Sequence, residues 1–134
     1  MIYLDTSAFV KLIWGERETP ALHSFLGERP SATLVSSALL VVETRRAILR
    51  EDPDQLARAD LLLTRVDQAG VTRSVLEAAS RLPDPSLRSL DAIHLATALQ
   101  LGRDLEALVT YDNRLASAAG RLGFPVVTPG AELD

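Results

Sequence analysis

The 134-residue chain contains no cysteine. Disulfides, iron–sulfur clusters and thiolate zinc sites are therefore excluded, and a cytoplasmic protein is expected. No apolar run approaches the roughly 18 residues of a membrane span. The opening "MIYLDTSAFVKL" has no basic region ahead of an apolar stretch and no small-residue cleavage site, so no secretory signal is expected. A basic excess is missing too: 18 acidic residues face 14 basic ones, and Lys11 is the only lysine. The footprint of a general phosphate-backbone binder is usually basic, which disfavours that class. What the chain does have is an apolar fraction of 47%, too high for a disordered segment. Its length suits one domain, 1–134, with a core of its own.

Short apolar runs alternate with helical patterns. "MIYL", "ATLVSS", "LEALVTY" and "PVVT" read as strands. "TSAFVKLIWGE", "ETPALHSFLGE", "ALLVVETRRAILRE" and "RSVLEAASRL" read as helices, as do residues 90–101 (stopped by Gly102) and "DNRLASAAGRLG". "DPDQLARADLLLTRVDQAG" reads as one more, with Asp52 or Asp54 as its cap and Gly70 as its stop. The serines ending "ATLVSS" are placed to cap the helix that follows. This order implies parallel βαβ units in an α/β sandwich. In such sheets ligands sit at the carboxyl ends of strands, near a reversal of strand order.

Four acids meet that rule to different degrees. Asp5 directly follows the first strand, and Asp112 directly follows the strand in "ALVTY". Asp91 lies in the first turn of a helix that is apolar almost all round, with Ser89 as the expected cap. Glu43 shares a helix face with Leu39 and Ala47, so it looks inward and needs a partner. Each has an ordinary reading. Asp5 and Asp112 could be N-caps, Asp91 could favour the helix dipole, and Glu43 could pair with Arg46 or Arg50. All four ordinary readings would have to hold together. The four acids also equal the formal charge of −4, so the rest of the chain is balanced. Hard oxygen donors, without Cys and with two His, favour Mg²⁺ or Mn²⁺ over Zn²⁺.

"YLDTSAFVKL", "VVETRRAIL", "RSLDAIHLATAL" and "LVTYDNRLASAA" resemble, in order and spacing, the signature segments of the PIN-domain family. More narrowly they resemble the VapC-type toxins of bacterial toxin–antitoxin systems, from residue 1 to about 128. The resemblance implies a three-layer α/β/α sandwich with a mainly parallel central sheet. It also implies a metal-dependent endoribonuclease leaving 5′-phosphate and 3′-hydroxyl ends. Asp5, Glu43, Asp91 and Asp112 occupy the family's acidic positions. Asp5 and Asp91 are then the leading ligands for Mg²⁺ or Mn²⁺, and Glu43 and Asp112 complete the site. A VapB-type antitoxin, an RNA substrate and a homodimer are the implied partners.

Thr6 and Ser7 could touch the phosphate or a cation's water, or cap the next helix. Thr110 could bond within the acidic site or be a plain strand residue. Arg45, Arg46 and Arg50 read as a solvated helix face rather than an RNA contact. His94, one turn after Asp91, reads as structurally bonded rather than as a base. Val10, Ile13 and Trp14 are either an interface or core. A receiver module would want an acidic pair after the first strand and a lysine after the last. A haloacid-dehalogenase-type phosphatase would want an Asp where Ser7 stands. The remaining alternative is a non-catalytic PIN-like module that binds RNA or protein.

Overall fold

The computed structural model describes residues 1–131. Five strands form one sheet in the order β3-β2-β1-β4-β5. They are β1 (Ile2–Leu4), β2 (Leu34–Ser37), β3 (Asp67–Ala69), β4 (Ala107–Val109) and β5 (Val126–Val127), and every pairing is parallel. The chain builds outward from β1 through β2 to β3, then crosses back to lay β4 on the other side of β1. That reversal puts the topological switch between β1 and β4.

The helices are α1 (Thr6–Phe9), α2 (Thr19–Gly27), α3 (Leu39–Glu51), α4 (Leu56–Leu63), α5 (Arg73–Ser80), α6 (Ser89–Leu101) and α7 (Asn113–Arg121). Strand alternation assigns them to two faces. Ile2, Leu4 and Val109 pack with Phe9, Leu22, Leu40, Ile48 and Leu63, from α1 to α4. Tyr3, Val35 and Leu108 pack on the opposite face with Leu95, Leu115 and Ala119 of α6 and α7. The result is the expected three-layer sandwich. The sheet is wholly parallel, and its strands are buried on both faces at the centre, as β1 and β4 show.

Several boundaries differ from the sequence reading. The helix expected over "DPDQLARADLLLTRVDQAG" is a 3₁₀ turn (Pro53–Gln55), then α4, and then β3. β3 escaped notice because Asp67 and Gln68 are exposed. It is an edge strand held by its backbone ladder to β2, so it carries no hydropathy pattern. Neither Asp52 nor Asp54 caps α4, whose N-cap residue is Gln55. Ser89 is not the cap of α6 either: it is the first helical residue, after an uncapped Arg88. The helix expected from Thr6 onward tightens after Phe9 into a 3₁₀ turn, Val10–Leu12. Ser37 Oγ does accept from the Leu39 amide at the start of α3 (3.1 Å). Gly102 ends α6 at φ 59°, a conformation that a side chain would strain.

Ile13 is 6% exposed and belongs to the core, whereas Val10 and Trp14 are only partly buried, Trp14 packing against that core. Lys11 is ion-paired with Glu16 and Glu18 and lies 4.7 Å above the Tyr111 ring. Among the described residues no helix is long and apolar enough to cross a membrane.

Leu108, with no exposed surface on central β4, sets the expected scale of core packing. Urea unfolding of Leu108→Ala should show a loss of about 2–5 kcal/mol. Val42→Ala, on the outer face of α3 where Val42 is 53% exposed, should stay within about 0.5 kcal/mol of the parent.

Candidate active site

The register of the two central strands builds the site's floor. Leu4 stands opposite Val109, so the next residues, Asp5 and Thr110, stand opposite each other at the carboxyl ends. The Asp5 amide donates to the Val109 carbonyl (3.2 Å), and Thr110 Oγ1 donates to Asp5 Oδ2 (2.6 Å). Asp5 Oδ1 accepts from Ser7 Oγ (2.7 Å) and from the Ala8 amide (3.0 Å), which also caps α1. Thus the capping role and a site role coexist in one carboxylate. Thr6 and Ser7 do not cap. Ser7 Oγ accepts from the Tyr111 amide (2.9 Å), fastening the β4 exit to α1.

Glu43 leans over this floor from α3. Its Oε1 accepts from Thr6 Oγ1 (2.8 Å) and lies 2.7 Å from His94 Nε2. The side chain is 20% exposed and pairs with neither Arg46 nor Arg50. Arg45 instead binds Asp60, and Arg50 binds Glu51, so this helix face is turned outward. Asp112 caps α7 through Oδ1, which accepts from the Leu115 amide (2.9 Å), while its own amide donates to Thr110 Oγ1 (3.0 Å). Asp91 and Asp112 line one open cleft of about 280 Å³, with Arg88, Asn113 and Arg114 around it.

The charges are under strain. Burial, at 3% exposure, pushes the Asp5 carboxyl above the usual carboxylate range, and its three donors only partly offset this. Burial also raises Asp91, then the negative charges of Asp112 and Asp5 raise it further, with a contribution from Glu43. For Glu43, burial pushes upward but is outweighed by the His94 and Thr6 contacts, leaving it below its ordinary value. No hydrogen-bond donor contributes to the state of Asp91. Among the described residues no three carboxylate or imidazole groups converge closely enough to enclose a cation as they stand. The donor set nonetheless suits a hard divalent ion. Among the described residues Asp91 has no donor, the contacts to Glu43 both fall on Oε1, the cap contact of Asp112 falls on Oδ1, and Asp5 Oδ2 has one of its two lone pairs taken.

The PIN-domain family profile matches residues 2–121. The chain belongs to the PIN-domain family. It is 48% identical to Ribonuclease VapC35 of Mycobacterium tuberculosis over 132 residues, covering 97% of this chain and 98% of that protein. It superposes with a TM-score of 0.72 and 28% identity on a chain of a toxin–antitoxin complex from Klebsiella pneumoniae, covering 96% and 98% of the two chains. The fold also matches the crystal structure of Mycobacterium tuberculosis VapC20, a sarcin–ricin loop cleaving toxin. There the TM-score is 0.76 at 20% identity, with 96% and 100% covered. These likenesses make it a PIN-domain protein of the VapC group.

In this PIN domain the sequence reading passed over Tyr3, Arg88 and Arg114. Tyr3 reaches the site from below: its hydroxyl lies 2.7 Å from His94 Nδ1. As an apolar-strand aromatic it gave no sign of this. Arg88 and Arg114 were legible in principle, standing three residues before Asp91 and two after Asp112.

The raised state of Asp91 gives a signed prediction. Ionising it costs the folded protein more than the unfolded chain, so stability falls as pH rises through its folded pKa. Metal-free Asp91→Asn should therefore melt above the parent at neutral pH. The difference should vanish in acid below the ordinary carboxylate range, as followed by calorimetry across pH.

Proposed function

We propose that this chain is the ribonuclease toxin of a toxin–antitoxin pair, cutting RNA endonucleolytically with Mg²⁺ or Mn²⁺ in the acidic cleft. The observation that carries the reading is Asp91: a half-buried carboxylate without a donor among the described residues, set in the field of Asp112 and Asp5. Such an arrangement works against stability unless a cation completes it. Asp5 and Asp91 would hold that ion, with Glu43 and Asp112 completing the set. The chemistry a divalent cation supplies there is activation of water and neutralisation of charge on the phosphodiester oxygens.

The chain's own groups supply the geometry. Thr110, Ser7 and the Ala8 amide hold Asp5 in one orientation, so no side-chain search precedes binding. Arg88 and Arg114, both exposed on the cleft, contact flanking phosphates and offset the repulsion between RNA and four acids. The scissile linkage opens to a 5′-phosphate and a 3′-hydroxyl. The likeness to VapC chains supports an antitoxin of the VapB type as the neutralising partner, acting with the toxin in the cytoplasm.

The decisive experiment incubates total cellular RNA with the protein and Mg²⁺ or Mn²⁺, with an EDTA control, and sequences the new 5′ ends. Cuts at defined positions should vanish with EDTA and fall at least about a hundredfold in Asp91→Asn and Asp5→Asn. Intact RNA under every condition, with the folded parent still binding RNA, would instead make the chain a binding module.

Arg88→Ala and Arg114→Ala should each weaken RNA binding and flatten its dependence on log salt by about 0.7, the loss of one single-strand phosphate contact. Fluorescence anisotropy with a catalytically dead parent would read that slope.

A further inference from the structure

His94 is 2% exposed in the middle of α6, and Tyr3 is wholly buried in β1. Their rings meet edge to face, with centroids 5.9 Å apart and planes at 86°. The Tyr3 hydroxyl lies 2.7 Å from His94 Nδ1, and His94 Nε2 lies 2.7 Å from Glu43 Oε1. The proton order along this chain follows from its ends. A neutral imidazole that gives its one proton through Nε2 accepts at Nδ1, so the Tyr3 hydroxyl, 2.7 Å away, donates there. At the other end an ionised carboxylate only accepts, so Nε2 carries a proton and donates to Oε1. Thr6 Oγ1 donates to the same oxygen and lies 3.4 Å from Nε2. Both lone pairs of Oε1 are then used, whereas Oε2 has no protein donor among the described residues.

We infer that Tyr3 and His94 are positioning residues for Glu43, fixing its carboxylate so that one oxygen is saturated by protein and the other is presented to a cation. Glu43 needs such help. It reaches the edge from the side of α3 on three rotatable bonds, unlike Asp5, which the strand end fixes directly. The line Tyr3–His94–Glu43 joins β1, α6 and α3 across the carboxyl edge of the sheet, tying both helical layers to one carboxylate. Partners of this kind, behind a ligand rather than on the ion, typically change metal affinity or activity 10- to 100-fold (roughly) when removed. The inference rests on the reading of Glu43 as a cation ligand.

The test measures Mn²⁺ affinity by calorimetry without RNA, kcat and KM for RNA cleavage, and melting temperature. The variants are Tyr3→Phe, His94→Leu and His94→Gln. Tyr3→Phe and His94→Leu should weaken Mn²⁺ binding and lower kcat by about tenfold or more, with KM for RNA little changed. His94→Gln, whose amide still donates to Glu43, should recover most of the loss. In a Glu43→Gln background the Tyr3→Phe effect should disappear, because its route is gone. Unaltered Mn²⁺ binding in folded variants, or a Tyr3→Phe loss that persists without Glu43, would overturn the inference. If a variant does not fold, long-range ¹H–¹⁵N spectra of the parent decide instead. A proton on His94 Nε2 supports the assignment, and a bare Nε2 overturns it. A parent that shows the Nε2 proton yet binds no Mn²⁺ would overturn the cation reading of the site while leaving the hydrogen-bond chain standing.

Discussion

The bond from Thr110 to Asp5 joins the carboxyl ends of β1 and β4, the two strands between which the chain reverses direction. At any other pair of neighbours a helix crossover would cover the strand ends. At the switch point they are left open. Everything else at the edge is arranged around this constraint. Ser7 ties α1 to the β4 exit, Asp112 takes its place from the Thr110 hydroxyl, and Glu43 reaches in through Thr6. Small hydroxyl residues do most of the joining, because they satisfy carboxylates without adding charge.

The same edge shows a conflict between stability and use. Asp5 and Asp91 both sit where folding disfavours their ionised forms. A core free to optimise stability alone would replace them with neutral residues. Their placement accords with the cation proposed for this edge. Glu43 is treated differently. Its contacts hold it below the ordinary range, so it remains a carboxylate when its neighbours resist ionising.

The sheet and most helices were legible because period-2 and period-3.6 patterns mark burial, and burial dominates at β1, β4 and α6. β3 was not, since Asp67 and Gln68 owe their place to backbone bonds with β2 and leave no trace in hydropathy. Caps were harder still. Ser89 and Asp52 have the right chemistry in the right neighbourhood, but α6 starts one residue earlier than that cap requires and the turn before α4 bonds differently. The four acids were legible from their positions after strands and on helix faces. The grip of Tyr3 on His94, and of His94 on Glu43, was not. It depends on side chains 91 and 51 residues apart, a separation over which the chain offers no periodic signal.

Asp5 and Thr110 are separated by 105 positions, and their strands pair in parallel. A nascent chain therefore carries its first acid from the earliest moments of synthesis but lacks the partner that fixes it until nearly the whole protein has been made. Local folding cannot shorten that wait, because parallel pairing demands long-range closure. The edge cannot be complete before β4 has been made. Fragments that end before β4 lack the Asp5–Thr110 bond, so none of them carries the assembled edge.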